Sequence, residues 1–198
     1  MAEANLTTRA LAAALKELTQ EQGFERVSVS DICEACGVSR KTFYYHFQDK
    51  YELAEWIFNT EFVAVLKKAN PTGEWEIIDA ACQYFYAERR FYSDLLKYDG
   101  QNAFRTYFYS LLFEALEEYI LPDMSHVRSV AEDNGLPPDE AKDFFIHFFS
   151  DSLFVATFRW ISTGARIPPD RFVSLLKSVS KLIEVRVYER SGMEEPKE

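Results

Sequence analysis

One glycine between two very short helical segments constrains this chain more than any other feature. Gly37 follows the segment 29–36 and precedes the segment 40–46. A helix stops and turns readily at glycine, because glycine enters the left-handed backbone region without steric cost. With a longer helix before them, two such helices give the outline of a helix-turn-helix, although the pattern alone also fits other small three-helix units.

Polar residues predict where these N-terminal helices begin. Ser28 and Asp31 have the spacing of a capping box, in which each side chain satisfies a free backbone N–H of the other residue. Ser39 is placed to cap the second short helix. Asp49 and Glu52 form another capping box, which opens a long helix with an apolar face.

Helical periodicity continues through the rest of the chain. Apolar residues recur at helical spacing, glycine and proline separate the segments, and no alternating strand pattern with turn residues is present. The predicted fold class is therefore all-α, with about nine to ten helices. The predicted helices cover residues 4–22, 29–36, 40–46, 50–69, 74–89, 91–98, 102–120, 124–133, 138–163 and 169–189.

The net charge of −10 is unevenly distributed along the chain. Residues 1–50 hold six Lys/Arg and seven Asp/Glu, whereas the remaining residues hold 16 Lys/Arg and 25 Asp/Glu. Residues 38–48 contain Arg40, Lys41 and His46 and no acidic residue. One small cationic face is compatible with nucleic-acid binding, while the acidic remainder discourages unspecific contact with phosphate.

The cysteines do not form a metal or redox framework. Cys33 and Cys36 are a CxxC pair, but a zinc site needs about four ligands, and no second CxxC or HxxxH completes the set. A redox CxxC belongs at a strand-to-helix junction, whereas this pair lies inside a predicted helix. We interpret both cysteines as small packing residues, and we expect neither a metal nor a cofactor.

The chain offers little for catalysis. Its three histidines, His46, His126 and His147, form no catalytic-triad or metal-ligand arrangement, and no glycine-rich phosphate loop is present. We therefore expect a protein without enzymatic activity. The sequence also shows no signal-peptide pattern and no apolar run long enough to span a membrane, so a cytoplasmic protein with no membrane partner is expected.

The residues around the helix-turn-helix outline carry a specific resemblance. They are Gly23-Phe24, Ser28 before Val29-Ser30-Asp31-Ile32, Gly37-Val38-Ser39, Thr42-Phe43-Tyr44, His46-Phe47, and Lys50 before Glu52-Leu53. Over residues 8–62 the chain resembles the TetR family of bacterial regulators almost position for position, which covers about a quarter of its length. A looser similarity is to the branch that includes dihydroxyacetone kinase regulators.

The resemblance implies a division into two functional parts. Residues 1–49 are expected to form the helix-turn-helix DNA-binding domain, and residues 50–190 a helical ligand-binding and dimerisation domain. The polar residues 191–198 are expected to form a disordered tail. The helix that starts at Lys50 would link the two domains.

The resemblance also implies which helix reads DNA. Helix 40–46 would enter the major groove, where Arg40 and Lys41 could donate to guanine. Thr42 suits a thymine methyl group or a phosphate oxygen. The sequence departs from the family pattern at two places: the family frequently has a basic residue near Ser30, and it often has a Gly or Pro near Lys41. The resemblance therefore does not define which bases are read.

Aromatic and basic residues complete the predicted DNA surface. Tyr44 and Tyr45 suit hydrogen bonds to phosphate, or packing against neighbouring helices. His46 fits either a phosphate contact or a partly buried histidine. Lys50, at a helix N-terminus, suits phosphate. The candidate DNA-binding residues are Ser30, Arg40, Lys41, Thr42, Tyr44, Tyr45, His46 and Lys50.

The high aromatic content, 16%, points to two further features of the C-terminal part. A cluster of tyrosines and phenylalanines between residues 84 and 113 suits an apolar effector pocket, although most of it must be core. Phenylalanines on more than one face of helix 138–163 predict a dimer interface shared with helix 169–189. The candidate effector-binding residues are Tyr84, Arg105, Tyr107 and Trp160.

These expectations combine into one functional prediction. The chain is predicted to be a homodimeric transcriptional regulator that binds palindromic double-stranded DNA, with repression relieved by an unknown small-molecule effector. Two alternatives stay open at this point. One is an activator that answers to a protein partner, and the other is a helical protein-protein interaction module.

Overall fold

A computed structural model of the protein describes residues 2–69, 74–97, 102–115 and 125–191. The described residues form helices only, which confirms the all-α prediction. The ten helices are α1 (Ala2–Gln22), α2 (Val29–Cys36), α3 (Arg40–His46), α4 (Lys50–Ala69), α5 (Glu74–Ala87), α6 (Arg89–Leu95), α7 (Asn102–Ala115), α8 (Ser125–Asp133), α9 (Pro138–Ser162) and α10 (Pro169–Ser191). We call α1–α3 the head and α4–α10 the body.

The predicted caps set the local geometry of the head. The Ser28 hydroxyl accepts the N–H of Asp31, and the Asp31 carboxylate accepts the N–H of Ser28 at 2.8 Å, so the capping box of α2 is complete. Gly37 ends α2 with a φ of +66°, in the left-handed region. Ser39 then caps α3 by accepting the N–H of Thr42 at 3.1 Å. Gly37 and Ser39 therefore specify the turn between α2 and α3, and the capping box specifies where α2 begins.

Head and body share one buried apolar core. α1 packs against α2, α4 and α6, and α4 packs against α5. Burying these large side chains together stabilises the head against the body, because each removes apolar area from water. The fully buried side chains at this junction are Leu11, Leu15, Phe24, Ile32, Phe43, Leu53, Ile57 and Phe58.

Aromatic rings fill much of the body. The Phe58 ring on α4 stacks on Phe62 with centroids 4.8 Å apart, and it meets Phe108 edge-on at 5.9 Å. α9 contacts α6, α7 and α8, and α10 packs against α5. The aromatic surplus of the sequence therefore serves largely as core.

Helix boundaries in the body differ slightly from the prediction. The sequence suggested a break at residues 90–91, whereas α5 ends at Ala87 and α6 begins at Arg89. No side-chain cap marks this junction. The boundary instead follows packing, because Phe91 and Tyr92 of α6 are fully buried. The expected end of α7 at residue 120 lies outside the described residues, and so does the expected tail 191–198 except Ser191, which is the last residue of α10. Among the described helices, none combines the length and apolarity that crossing a bilayer requires.

Candidate nucleic-acid interface

The buried and exposed faces of α3 are chemically different. Phe43 is fully buried in the apolar core that α3 shares with the neighbouring helices, which fixes the helix on the head. On the other side, Arg40 and Lys41 are exposed, and the Tyr45 side chain is 83% exposed. The exposed side of α3 therefore carries two cations and a large aromatic side chain, whereas its buried side is apolar.

Arg40 and Tyr44 form a pair on this exposed face. The Arg40 guanidinium donates to the Tyr44 hydroxyl at 3.3 Å and lies 5.8 Å from the centre of its ring. The pair is one helical turn apart, so its contact costs little rearrangement of the helix. Tyr44 itself is 50% exposed. The guanidinium keeps further N–H donors for an acceptor outside the protein.

The other predicted contact residues of the head occupy the rim of this face. Thr42 is half-buried, and its hydroxyl shares a hydrogen bond of 2.8 Å with the Ser39 hydroxyl. His46 is half-buried between the rings of Tyr45 and Phe47. Ser30 is exposed on the first turn of α2. DNA contact by these residues stays a prediction.

Lys50 points into the protein and holds a turn of the head. Its ammonium donates to the backbone carbonyls of Phe24 at 2.7 Å, Val27 at 2.8 Å and Glu25 at 3.1 Å. An ammonium has three N–H donors, and these carbonyls match that number. Burial lowers the pKa of Lys50, although the carboxylates of Glu25, Asp31 and Asp49 act in the opposite direction. Phosphate contact by Lys50 stays a prediction, and its geometry favours a structural role.

A cleft of about 590 Å³ opens between head and body. Its wall holds Lys16 of α1, whose ammonium pairs with Glu61 of α4 at 2.9 Å and with Glu88 at 2.8 Å. Burial acts to lower the pKa of Lys16, but the hydrogen bonds that its ammonium donates to Glu88 and Glu61, together with the negative charges of these carboxylates, outweigh burial and raise the pKa. One cation thus ties the head to two points of the body.

Two of the four predicted effector-binding residues use their hydroxyl groups in hydrogen bonds within the protein. Tyr84 is buried, and its hydroxyl is 2.6 Å from that of Tyr92. The Tyr107 hydroxyl donates to the Asn59 side chain. Their polar atoms are therefore engaged within the protein, which favours a structural role.

The other two members of this set lie along α9. Arg105 is exposed on α7, and its guanidinium stands 4.7 Å above the Phe158 ring. The Trp160 indole donates to the Ile167 carbonyl at 2.8 Å and stacks on Phe172. Effector binding by all four residues stays a prediction.

Family models match both parts of the chain. Residues 10–57, which include the whole α2–α3 turn, match the model for bacterial regulatory proteins of the tetR family. Residues 73–182, more than half of the chain, match the model for a transcriptional regulator C-terminal region. The chain belongs to the TetR family. This TetR-family protein is accordingly a DNA-binding transcriptional regulator of a family without enzymatic activity.

A named relative of this TetR-family regulator is the HTH-type dhaKLM operon transcriptional activator DhaS of Lactococcus lactis subsp. lactis (strain IL1403). The two are 33% identical over 76 residues, which make up 38% of this chain and 41% of the relative. The match thus spans less than half of either protein. It confirms the expected similarity to dihydroxyacetone kinase regulators.

Solved structures show the TetR fold over nearly the whole chain. The dihydroxyacetone kinase operon activator DhaS has a TM-score of 0.64 and 21% identity, covering 91% of this chain and 96% of that one. A TetR transcriptional regulator from Streptococcus agalactiae 2603V has a TM-score of 0.60 at 20% identity, covering 87% and 92%. NalD, the secondary repressor of the MexAB-OprM multidrug efflux pump in Pseudomonas aeruginosa, has a TM-score of 0.53 at 20% identity, covering 87% and 93%.

The CxxC pair of this TetR-family protein packs inside the head. Cys33 is buried, and the Cys36 thiol donates to the Ala10 carbonyl at 3.2 Å. Burial raises the pKa of both thiols, which disfavours the reactive thiolate. Within the ranges that the structure covers, no cluster of potential metal ligands is found. The two cysteines therefore have the surroundings expected of packing residues.

Proposed function

We propose that the exposed face of α3 reads a palindromic operator in the major groove. The observation that carries the proposal is the combination of Arg40, Lys41, Tyr44 and Tyr45 on one surface of a helix whose opposite side is anchored by Phe43. Arginine and lysine at the N-terminal end of such a helix match the guanine acceptors O6 and N7. The hydroxyl groups of Tyr44 and Tyr45 can donate hydrogen bonds to phosphate oxygens next to the bases that are read.

The palindromic site follows from a proposed homodimer through α9 and α10. Phe144, Phe148 and Val155 of α9 are 71%, 58% and 47% exposed, and Leu175 and Val179 of α10 are 50% and 55% exposed. Spacings of four and seven residues place the α9 residues on one helix face, opposite the buried face that holds Ile146 and Leu153. An apolar stripe of this kind suits a second copy of the same helix pair, which gives a symmetric four-helix interface.

Selection of duplexes from a random-sequence library by the full-length protein tests the DNA contacts. The expected result is a palindromic consensus that is bound with a strong dependence on salt. Arg40→Ala and Lys41→Ala should each weaken binding to the selected duplex by roughly tenfold or more, and the Arg40 change should relax the preference at one base position. Arg166→Ala, which removes an exposed cation outside the head, serves as the matched control.

Two results would overturn the proposal. One is selection of no common duplex. The other is wild-type affinity in both α3 variants, or binding that ignores salt, which would instead favour a helical module that contacts other proteins. The melting temperature of each variant is compared with that of Arg166→Ala, so that a folding defect is distinguished from a loss of DNA contacts.

The direction of the regulatory output has two candidates. Repression relieved by a small-molecule effector is the usual family behaviour, and NalD is a named repressor. Activation is favoured by the similarity to DhaS, a named activator. Deleting the gene separates them, because transcripts next to a selected operator should rise if the protein represses and fall if it activates. An unchanged transcript level would contradict both outputs.

A further inference from the structure

The turn between α1 and α2 forms hydrogen bonds with side chains of two different helices of the body. The Asp94 carboxylate of α6 accepts the backbone N–H of Phe24 at 2.5 Å. The carbonyl of the same residue accepts from the Lys50 ammonium of α4 at 2.7 Å. Both polar backbone atoms of Phe24 are thus held by body side chains, and a hydrogen bond to an ionised group is stronger than one between neutral groups.

Gly23 makes room for this contact. Its φ of +87° lies in the left-handed region, and a Cβ at this position would stand 3.3 Å from the Asp94 carboxylate oxygen. A side chain at this position would therefore strain the backbone and would lie too close to the Asp94 carboxylate. The local backbone is shaped so that Asp94 can approach the turn closely.

Asp94 lies on the helix that connects the head to the proposed dimer helices. α6 contacts α1 of the head and α9 of the body. Phe91 and Tyr92, on the same short helix, are fully buried, so α6 is firmly packed in the body. A displacement of α6 would carry the Asp94 carboxylate, and with it the turn that precedes α2.

We propose that Asp94 is a positioning residue that sets the placement of each DNA-reading head relative to the body. This inference rests on the proposed function, because it concerns how two heads of a dimer engage one palindrome. When one head is bound, the second binds as an intramolecular event whose strength depends on how well it is held in place. Loosening the head lowers this effective concentration without altering the reading surface of α3.

Comparison of a full palindrome with a half-site tests this role. The probes are the duplex selected by the wild-type protein and the same duplex with one arm scrambled. Asp94→Ala should weaken binding to the full palindrome by about tenfold and leave half-site binding within about twofold of wild type. Asp94→Asn should recover most of the loss, because the amide oxygen still accepts the Phe24 N–H. Lys97→Ala, an exposed change just beyond α6, is the matched control.

Amide exchange of Phe24 gives a readout that needs no DNA. Loss of a charged acceptor should raise the exchange rate of this N–H by about tenfold or more in Asp94→Ala, with a smaller rise in Asp94→Asn. An unchanged rate would overturn the inference, because the restraint would be absent.

The binding data distinguish failure of the inference from failure of the proposed function. Equal losses on the full palindrome and the half-site would show that Asp94 only maintains the fold of the head. No loss on either duplex would also overturn the inference. A wild-type protein that shows no preference for the full palindrome over the half-site would overturn the proposed symmetric binding, and the inference with it.

Discussion

The Lys50 ammonium lies 2.7 Å from the Phe24 carbonyl oxygen and 4.7 Å from the centre of the Phe24 ring. The ring and the carbonyl both attract the cation, so α4 holds the α1–α2 turn through a single side chain. The residue that begins the linking helix therefore works from inside the protein. Its contribution to DNA binding should be indirect.

Salt dependence separates this indirect role from a phosphate contact. Lys50→Met keeps the length of the side chain but leaves two part-buried carbonyls without this donor, which should cost about 1 kcal/mol of folding free energy. Operator affinity should fall while the slope of log K against log salt concentration stays at the wild-type value. Replacing a lysine whose ammonium contacts a phosphate would instead reduce that slope by about 1. Isothermal binding titrations at four salt concentrations give both slopes, and an equal reduction in Lys50→Met would place its ammonium on DNA.

The ion pairs of Lys16 predict a coupled stability effect. Lys16→Met leaves Glu61 and Glu88 facing each other without a cation, and we expect a loss of roughly 1–3 kcal/mol in the free energy of unfolding. Adding Glu61→Gln and Glu88→Gln should recover part of this loss, because the like charges are gone. Urea denaturation of the wild type, Lys16→Met, the variant with both glutamines and the variant with all three changes measures the coupling. If the changes in the free energy of unfolding were strictly additive, Lys16 would not interact with the two carboxylates.

Buried phenols predict a decline of stability in alkaline solution. Burial raises the pKa of Tyr84 and of Tyr92 above the usual value of 10.0. Above pH 10 the unfolded chain releases these protons while the folded chain keeps them, so unfolding becomes more favourable as the pH rises. Each phenol should contribute a slope of about 1.4 kcal/mol per pH unit in that range.

Removing one phenol should flatten this decline. Tyr84→Phe deletes one titrating group, so its stability should fall less steeply between pH 10 and 12 than that of the wild type. Phe85→Leu, a neighbouring buried change without a titrating group, should lower stability but run parallel to the wild type. Chemical denaturation across this pH range is the measurement. Parallel curves for Tyr84→Phe and the wild type would mean that the phenol ionises equally in both states.

The sequence predicted those features that depend on local chemistry. The capping box of Ser28 and Asp31 and the left-handed turn at Gly37 were both predicted, because each is specified by residues within a few positions. The exposed face of α3 follows in the same way from the helical period around Phe43. Local signals therefore determine the shape of this exposed face.

The sequence could not predict contacts between distant side chains and backbone atoms. Lys50 and Phe24 are 26 residues apart, and Asp94 is 70 residues from the N–H that it accepts. No residue pattern encodes a bond to a backbone carbonyl or N–H that is far away in the sequence, since every residue offers the same carbonyl and nearly every one the same N–H. For the same reason the Lys50 side chain was predicted on the DNA side, and Asp94 was not singled out.

The exposed stripe of α9 gives a direct test of the proposed dimer. Phe148 is 58% exposed and has Phe144 one turn before it, with their rings stacked at 6.2 Å. Phe148→Glu would bury a carboxylate in the proposed interface, where the cost of removing its charge from water opposes association. Sedimentation velocity should show a dimer for the wild type and a monomer for Phe148→Glu at micromolar concentration.

A matched substitution outside the stripe completes this test. Leu136 is 56% exposed in the turn before α9, so Leu136→Glu makes the same chemical change at a similar exposure. We expect that variant to remain a dimer. Phe148→Glu should also lose binding to the full palindrome while keeping weak half-site binding, because one head still reads DNA but no second head is tethered to it. A Phe148→Glu protein that stays dimeric, or a Leu136→Glu protein that dissociates, would move the interface away from this face of α9.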